Sequence, residues 1–214
     1  MSENRGSPSQ TEIIKNIREL AREFKYKDIL DVGCGAGLYT NLFCVNNNNV
    51  TGLDLQEVVD QTKIRFRFVK GDALKMPFID SSFDAVVSFD VIEHLSDDRL
   101  FLRECYRVLK KGGRLIIGTP NRHRVSFFLL SFLGQKPKFP RNLGKDHVLG
   151  DIIHLREYTL KELGGLLNES GFKPREIRLI WLGLSLFKGV EIGLKKPPPF
   201  LSRFAQYILF SSQK

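Results

Sequence analysis

The chain is poor in cysteine, with only Cys34, Cys44 and Cys105. So few, and an odd number, give no disulfide framework and point to a reducing compartment, the cytoplasm. No apolar run approaches the length of about 18 residues that marks a membrane-crossing helix. The longest candidate, Val125 to Leu133, is half that, so no transmembrane segment is expected. Met1 to Gln10 lacks the charged-then-apolar pattern of a signal peptide and reads as a disordered tail before a single domain over 11–214. Acids are in the minority: 24 Asp and Glu face 33 Lys and Arg, a formal charge of +9. That balance suits nucleic acid, anionic lipid or an acidic substrate. No RRM or zinc-finger pattern accompanies it, so nucleic acid is not expected, while peripheral contact with a membrane stays open.

What the chain does have is a strand running straight into glycines: Lys27-Asp28-Ile29-Leu30-Asp31-Val32-Gly33-Cys34-Gly35-Ala36-Gly37. Glycines there reach backbone angles closed to other residues and let a ligand approach the main chain. A helix N-terminus beyond the turn would offer free N–H groups to an anion. The dinucleotide fingerprint does not fit, because its third glycine falls on Leu38. The phosphate-loop pattern fails too, for want of a following Gly-Lys-Ser/Thr.

Further landmarks follow in order. Asn49 to Leu55 reads as a second strand ending in Asp54, whose carboxylate can accept from both hydroxyls of a ribose. Ile64 to Lys70 reads as a third strand, closed by Gly71-Asp72-Ala73. Met76 to Ser88 passes from a proline-marked loop into a buried strand, and Tyr106 to Ile117 gives helix, Gly-Gly turn and strand.

Together Asp31-x-Gly33-x-Gly35-x-Gly37 and these landmarks resemble the class I S-adenosylmethionine (SAM) methyltransferases over roughly residues 25 to 120. The branch they most resemble is that of the ubiquinone-biosynthesis O-methyltransferases and related small-molecule enzymes. The resemblance implies SAM as cofactor and S-adenosylhomocysteine as product. It implies a cofactor site of Asp31, Gly33, Cys34, Gly35, Gly37, Asp54, Leu55, Asp72, Ala73 and Asp90, with Asp72 toward the adenine amine. Cys34, inside the turn, reads as small filler rather than a nucleophile. The implied acceptor is a small, amphiphilic molecule bearing a hydroxyl or phenol. An RNA or protein methyltransferase, or a SAM-binding module without turnover, stands as the alternative.

The rhythm along the chain agrees. Apolar residues at 13, 14, 17, 20, 21 and 24 predict a helix over Thr11 to Phe24. Strands are expected near 28–32, 49–54, 64–70, 83–88 and 114–119, with a helix over about Asp97 to Lys110 capped by Ser96. Thr159 to Ser170 reads as a helix stopped by Gly171, and Ile177 to Leu184 as a strand. Ala205 to Ser211 would be the last strand, after the extended Pro197-Pro198-Pro199. This alternation predicts an α/β fold: a Rossmann-like, doubly wound, mostly parallel sheet. The resemblance adds seven strands, the final one antiparallel. Residues 120–155 break the rhythm. Their apolar stretch and their bases Arg122, Arg124, Lys136, Lys138, Arg141 and Lys145 suggest an insert or lid over the substrate.

Methyl transfer from a sulfonium asks the protein mainly to align nucleophile and methyl group, and to manage one proton. Asp90-Val91-Ile92-Glu93-His94 follows the fourth strand, on the edge where ligands sit in open α/β sheets. Three readings stand. His94 is a general base. Alternatively Asp90, Glu93 and His94 hold a divalent cation that acidifies the acceptor hydroxyl, as the resemblance implies. Or Glu93 and His94 orient the following loop. His154, ahead of Tyr158-Thr159, is a second candidate on the acceptor side, near Asp146-His147 and Asp151.

Overall fold

The computed structural model describes residues 7–57, 60, 64–125, 154–185, 191–195 and 198–214. Strands β1 (Asp28–Val32), β2 (Asn49–Asp54), β3 (Arg67–Lys70), β4 (Phe83–Phe89), β5 (Leu109–Pro120), β6 (Lys173–Ile180) and β9 (Tyr207–Gln213) form one seven-stranded sheet of order β3-β2-β1-β4-β5-β9-β6. β9 is antiparallel to both its neighbours, and the rest run parallel. The doubly wound sheet with its antiparallel final strand is thus as the sequence predicts. β7 (Leu182–Ser185) and β8 (Glu191–Leu194) form a separate two-stranded ribbon between β6 and β9.

Helices cover both faces because successive strand residues point to opposite sides. Leu30, Val32, Val86, Leu115 and Ile117 pack with Phe101, Leu102 and Cys105 of α3 (Asp98–Val108) and Leu163 and Leu167 of α4 (Leu160–Glu169). Ile29, Ala85, Val87 and Ile116 pack on the other side, with Ile17 and Leu20 of α1 (Pro8–Ala21) and Phe43 of α2 (Thr40–Phe43).

Boundaries differ from the sequence reading for identifiable reasons. α1 begins at Pro8, so residues 8–10 belong to the helix rather than the tail. The Ser7 side chain caps it, and Pro8 occupies a first-turn position where no N–H is needed. α3 is capped by Asp97, whose carboxylate accepts from the Leu100 N–H at 2.8 Å, and not by Ser96. α4 is opened by a capping box in which Thr159 and Glu162 satisfy each other's backbone N–H. The strand expected over 177–184 breaks at Trp181, which sits at φ +61, so β6 ends and the ribbon begins there.

Candidate functional site

The strand order reverses between β1 and β4, whose carboxyl ends open the crevice typical of ligand sites in such sheets. The glycine turn leaves β1 on one side of that crevice. Gly33 and Cys34 donate their N–H groups to the Leu53 carbonyl at 2.7 and 3.1 Å, and Gly35 N–H donates to Asp54 Oδ2 at 2.8 Å. The turn is therefore pinned to the end of β2. Its glycines are required for different reasons. Gly33 (φ +76) lies so near Val91 that a Cβ would stand 2.2 Å from Cγ2, and Gly37 (φ +84) presses on Phe66. At Gly35 (φ +48) a Cβ would meet nothing within 4 Å. The first two glycines are demanded by packing, whereas Gly35 presents bare main chain to open space.

Asp54 is half-buried at the end of β2. Oδ2 takes the Gly35 N–H and Oδ1 the Gln56 N–H at 3.0 Å, which leaves a second lone pair on each oxygen. Asp72 is exposed past β3, with Oδ1 accepting from the Leu74 N–H at 2.8 Å. Leu55 is exposed and Ala73 buried.

Two residues expected at the cofactor have buried side chains. Asp31 is sealed beneath the turn, 2 % exposed, and takes the Thr40 hydroxyl at 2.6 Å. Burial drives its pKa up to about 7, against the Thr40 hydrogen bond and with a contribution from the Asp54 charge. Its carboxyl braces the start of α2. The Cys34 side chain also points inward, into the space that Gly52 leaves free, and burial pushes its thiol up to about 12. The filler reading fits this placement. The helix after the turn is shorter than the motif suggests: α2 has four residues, too few for an N-terminal anion site of its own.

The far side of the crevice follows β4. Asp90 takes a left-handed conformation (φ +57), and its N–H donates to the Gly118 carbonyl. Its Oδ2 lies 3.5 Å from the Tyr39 hydroxyl, which links the two sides. The buried Tyr207 hydroxyl stands close to Asp90 without hydrogen-bond geometry, and burial raises the Asp90 pKa. Glu93 and His94 lie in a 3-10 turn, Ile92–His94. Glu93 is fully buried. Oε2 accepts from the Thr119 hydroxyl at 3.0 Å, whereas Oε1 has no hydrogen-bond partner among the described residues. Burial, together with the Asp90 charge, pushes its pKa up to about 7. Its carbonyl accepts from the N–H groups of Leu155 and Arg156, and this tethers the returning chain beside the turn.

That tether brings in His154. Its ring lies edge-on to the His94 ring, centroids 4.9 Å apart. His154 Nδ1 is 2.7 Å from Glu157 Oε1, and the buried Glu157 carboxylate is also paired with Arg124. The bond to Glu157 raises the His154 pKa despite partial burial. Burial alone would raise Glu157, but His154 and Arg124 hold it below the usual carboxylate range. Ligating atoms of Glu93, His94 and His154 lie within 4.8 Å of one another, a set able to hold a cation. The cation set that the resemblance implied, as one of three readings, was Asp90, Glu93 and His94; the group that the structure brings together has His154 and not Asp90.

Of the basic residues expected in an insert or lid, Arg122 and Arg124 lie among the described residues. Arg122 and Arg124 are not poised for an anionic acceptor: they pair with Glu162 and Glu157. Residues 126–153, with the apolar stretch, the other lysines and arginines of the insert, and His147, lie outside the described residues. Sequence reasoning missed Glu157, Thr119, Tyr39 and Tyr207. Only Glu157 left a signal, the three-residue spacing from His154.

Comparison with known proteins bears on the domain and the fold. Residues 30–117 match a family described as a methyltransferase domain. A "Probable S-adenosylmethionine-dependent methyltransferase" of Mycolicibacterium smegmatis is 34 % identical over 173 residues, covering 79 % of this chain and 61 % of that protein. A ubiquinone biosynthesis O-methyltransferase of Pseudomonas putida is 30 % identical over 115 residues, 48 % of each chain. The chain thus spans about half to three fifths of these relatives' length. The 1,6-didemethyltoxoflavin-N1-methyltransferase of Burkholderia thailandensis, solved with S-adenosylhomocysteine, superposes with a TM-score of 0.62 at 18 % identity, over 94 % of this chain and 77 % of that one. The chain thus carries a methyltransferase-domain match over residues 30–117 and shares the fold of solved methyltransferases. Among the described residues no helix is long and apolar enough to cross a membrane.

Proposed function

We propose that this chain transfers the methyl group of SAM to a hydroxyl or phenol oxygen of a small, amphiphilic acceptor. The observation that carries the reading is a juxtaposition at the reversal of strand order. Bare main chain at Gly35 beside Asp54 forms one wall, and the imidazole–carboxylate group of His94, His154 and Glu157 stands beyond β4. The cofactor supplies an activated methyl, so alignment and one proton are what the protein must contribute. The free lone pairs of Asp54 suit a ribose diol, and exposed Asp72 suits the adenine amine. Gly33, Gly37 and Asp31 shape the turn from beneath.

The acceptor oxygen attacks the methyl carbon as the carbon–sulfur bond breaks, leaving neutral S-adenosylhomocysteine. Its proton passes to His154. A carboxylate on Nδ1 fixes the proton there and leaves Nε2 as the basic nitrogen. Arg124 holds Glu157 ionised for that task. His94, edge-on to His154, lines the same place.

One observation favours a variant of this reading: Glu93 Oε1 is buried and unpartnered beside both imidazoles. Glu93, His94 and His154 would hold a divalent cation there, with Glu157 behind His154 in the manner common for metal-bound histidines. Such an ion would lower the pKa of an acceptor hydroxyl. Melting curves after chelation and with added Mg²⁺, Mn²⁺ or Zn²⁺ test it. A melting-temperature rise that is lost in His154→Ala supports the site, and no response to any of the three removes it.

The main reading is tested by calorimetry with SAM, S-adenosylhomocysteine and NAD, then by tritiated-methyl transfer to extract separated into lipid, small-molecule, RNA and protein fractions. Label in the lipid or small-molecule fraction is expected. Label confined to RNA or protein would replace the acceptor class, and NAD binding without SAM binding would overturn the reading altogether.

A further inference from the structure

The β7–β8 ribbon is placed unusually for an element with so little core. Its register pairs Leu182 with Leu194, Gly183 with Gly193 and Leu184 with Ile192. Residues opposite one another in an antiparallel pair share a face, and alternate residues switch faces. Over 182–184 and 192–194 one face therefore carries Gly183 and Gly193, and the other carries Leu182, Leu184, Ile192 and Leu194. The glycine face is pressed on the buried Trp181 indole: a Cβ on Gly183 would stand 2.7 Å from Nε1, and one on Gly193 3.0 Å from Cε2. The aliphatic face is thereby turned outward. Ile192 is 64 % exposed and Leu194 52 %, with Phe200 beyond them at 74 %. Isolated two-stranded ribbons are marginal in water, and an outward aliphatic face adds to that cost.

Charge decides between occupants. Lys195 directly follows Leu194 and is exposed, as is Arg203 in the 3-10 turn Ser202–Phe204. Over residues 182–204 the sequence has Lys188, Lys195, Lys196 and Arg203 against a single acid, Glu191. A second copy of the chain would bring the same positive segment and the same +9 overall charge. Five apolar side chains also fall short of the roughly 800 Å² per partner of a stable dimer. A few aliphatic and aromatic side chains ringed by lysine and arginine are what an anionic bilayer surface takes up.

We infer that the outer face of the β7–β8 ribbon, with Phe200 and the flanking Lys195 and Arg203, docks the protein on an anionic lipid bilayer. β6 ends at Ile180 and β9 begins at Tyr207, so the ribbon leaves the sheet at the same carboxyl edge as Asp90 and Glu93. If the proposed methyl transfer holds, docking sets the acceptor side against lipid. The docking itself does not depend on that reaction.

The test is co-sedimentation of the full chain with vesicles of phosphatidylcholine alone and of equal parts phosphatidylcholine and phosphatidylglycerol. Binding to the anionic vesicles only is expected, falling with salt. Lys195→Glu with Arg203→Glu should weaken it by about tenfold or more, since each cation near such a surface is worth roughly fivefold. Ile192→Ser with Leu194→Ser should weaken it comparably, and Phe200→Ser further. All these side chains are at least half exposed or charged and outside the crevice, so melting temperature and SAM affinity should stay at wild-type values. Loss of SAM binding in the wild-type chain would strike the proposed function and leave docking standing. No binding to anionic vesicles at low salt overturns the inference, as does equal binding to phosphatidylcholine alone. Unchanged binding in the ribbon variants moves the contact to another face and overturns it too. Concentration-dependent dimers abolished by Ile192→Ser with Leu194→Ser, without vesicle binding, would make a second copy the occupant.

Discussion

Replacing Glu93 by Gln should stabilise the ligand-free protein at alkaline pH and not at acid pH. Glu93 is fully buried, and desolvation with the nearby Asp90 charge raises its pKa from 4.5 to about 7. Below pH 4.5 the carboxyl is protonated in both folded and unfolded chains and contributes no difference between them. Between that value and about pH 7 the unfolded chain releases the proton and the folded chain keeps it. Stability then falls as pH rises, because the unfolded state binds fewer protons. Above pH 7 the folded protein carries a buried carboxylate at a cost of about 3 kcal/mol relative to the acid form. Gln cannot ionise and keeps a carbonyl oxygen for the Thr119 hydroxyl. Its amide group, near the unpartnered Oε1 position, adds an offset that does not vary with pH. Urea unfolding of both proteins with a chelator present, from about pH 5 to about pH 9, gives the two stability curves. Their difference should swing toward the variant by about 2.5 kcal/mol over that range. A difference that stays level would show that Glu93 ionises in the fold as freely as in the unfolded chain, and the burial argument would fall.

Three further outcomes follow from the site. Gly33→Ala should lower the melting temperature sharply, because its Cβ would overlap Val91 in a left-handed backbone; Gly35→Ala should cost about 1–2 kcal/mol of backbone strain while weakening SAM binding more than stability, and the reverse ranking would misplace the cofactor. Asp54→Ala should weaken SAM binding by about tenfold or more, the loss expected for a charged hydrogen-bond partner of roughly 1.5–3 kcal/mol, and calorimetry reads it directly. Glu157→Gln should lower the His154 pKa and move the acid limb of the methyl-transfer rate to lower pH, with reduced turnover and unchanged SAM affinity; a limb that does not move would remove His154 as the base.

The first five strands were legible because each is a short apolar run closed by glycine, proline or an acid. The breaks in later elements were not. Leu179 to Leu184 is apolar almost throughout, and nothing in it says that Trp181 adopts φ +61 and turns one strand into two elements. The reason lies across the fold: Gly183 and Gly193 must meet over the indole, and β8 is contributed by later sequence. α2 was overestimated because the residues after the glycines are compatible with helix, while Asn46 and Asn47 soon take left-handed conformations.

The candidate site divides along the same line. Its proposed cofactor half is local: Gly33 to Gly37 and Asp72 follow strands and Asp54 ends one, so order along the chain nearly equals position in space. Asp31 shows the limit even there. It shares a strand face with Ile29, and that face packs toward α1 and α2, whereas Leu30 and Val32 pack toward α3 and α4. The alternation therefore aims Asp31 at Thr40 instead of the crevice, a consequence of strand geometry that a glycine motif read by itself conceals. The acceptor half is non-local. His154 reaches His94 because the Glu93 carbonyl binds the N–H groups of Leu155 and Arg156, and Arg124 reaches Glu157 from the other side of the insert. No periodicity joins residues 93, 124 and 154. Their meeting depends on contacts between residues far apart in sequence: the Glu93 carbonyl with Leu155 and Arg156, and Arg124 with Glu157. Substitutions at Arg124 or Glu157 should therefore disturb the histidine pair, and an NMR titration of the His154 imidazole reads the change.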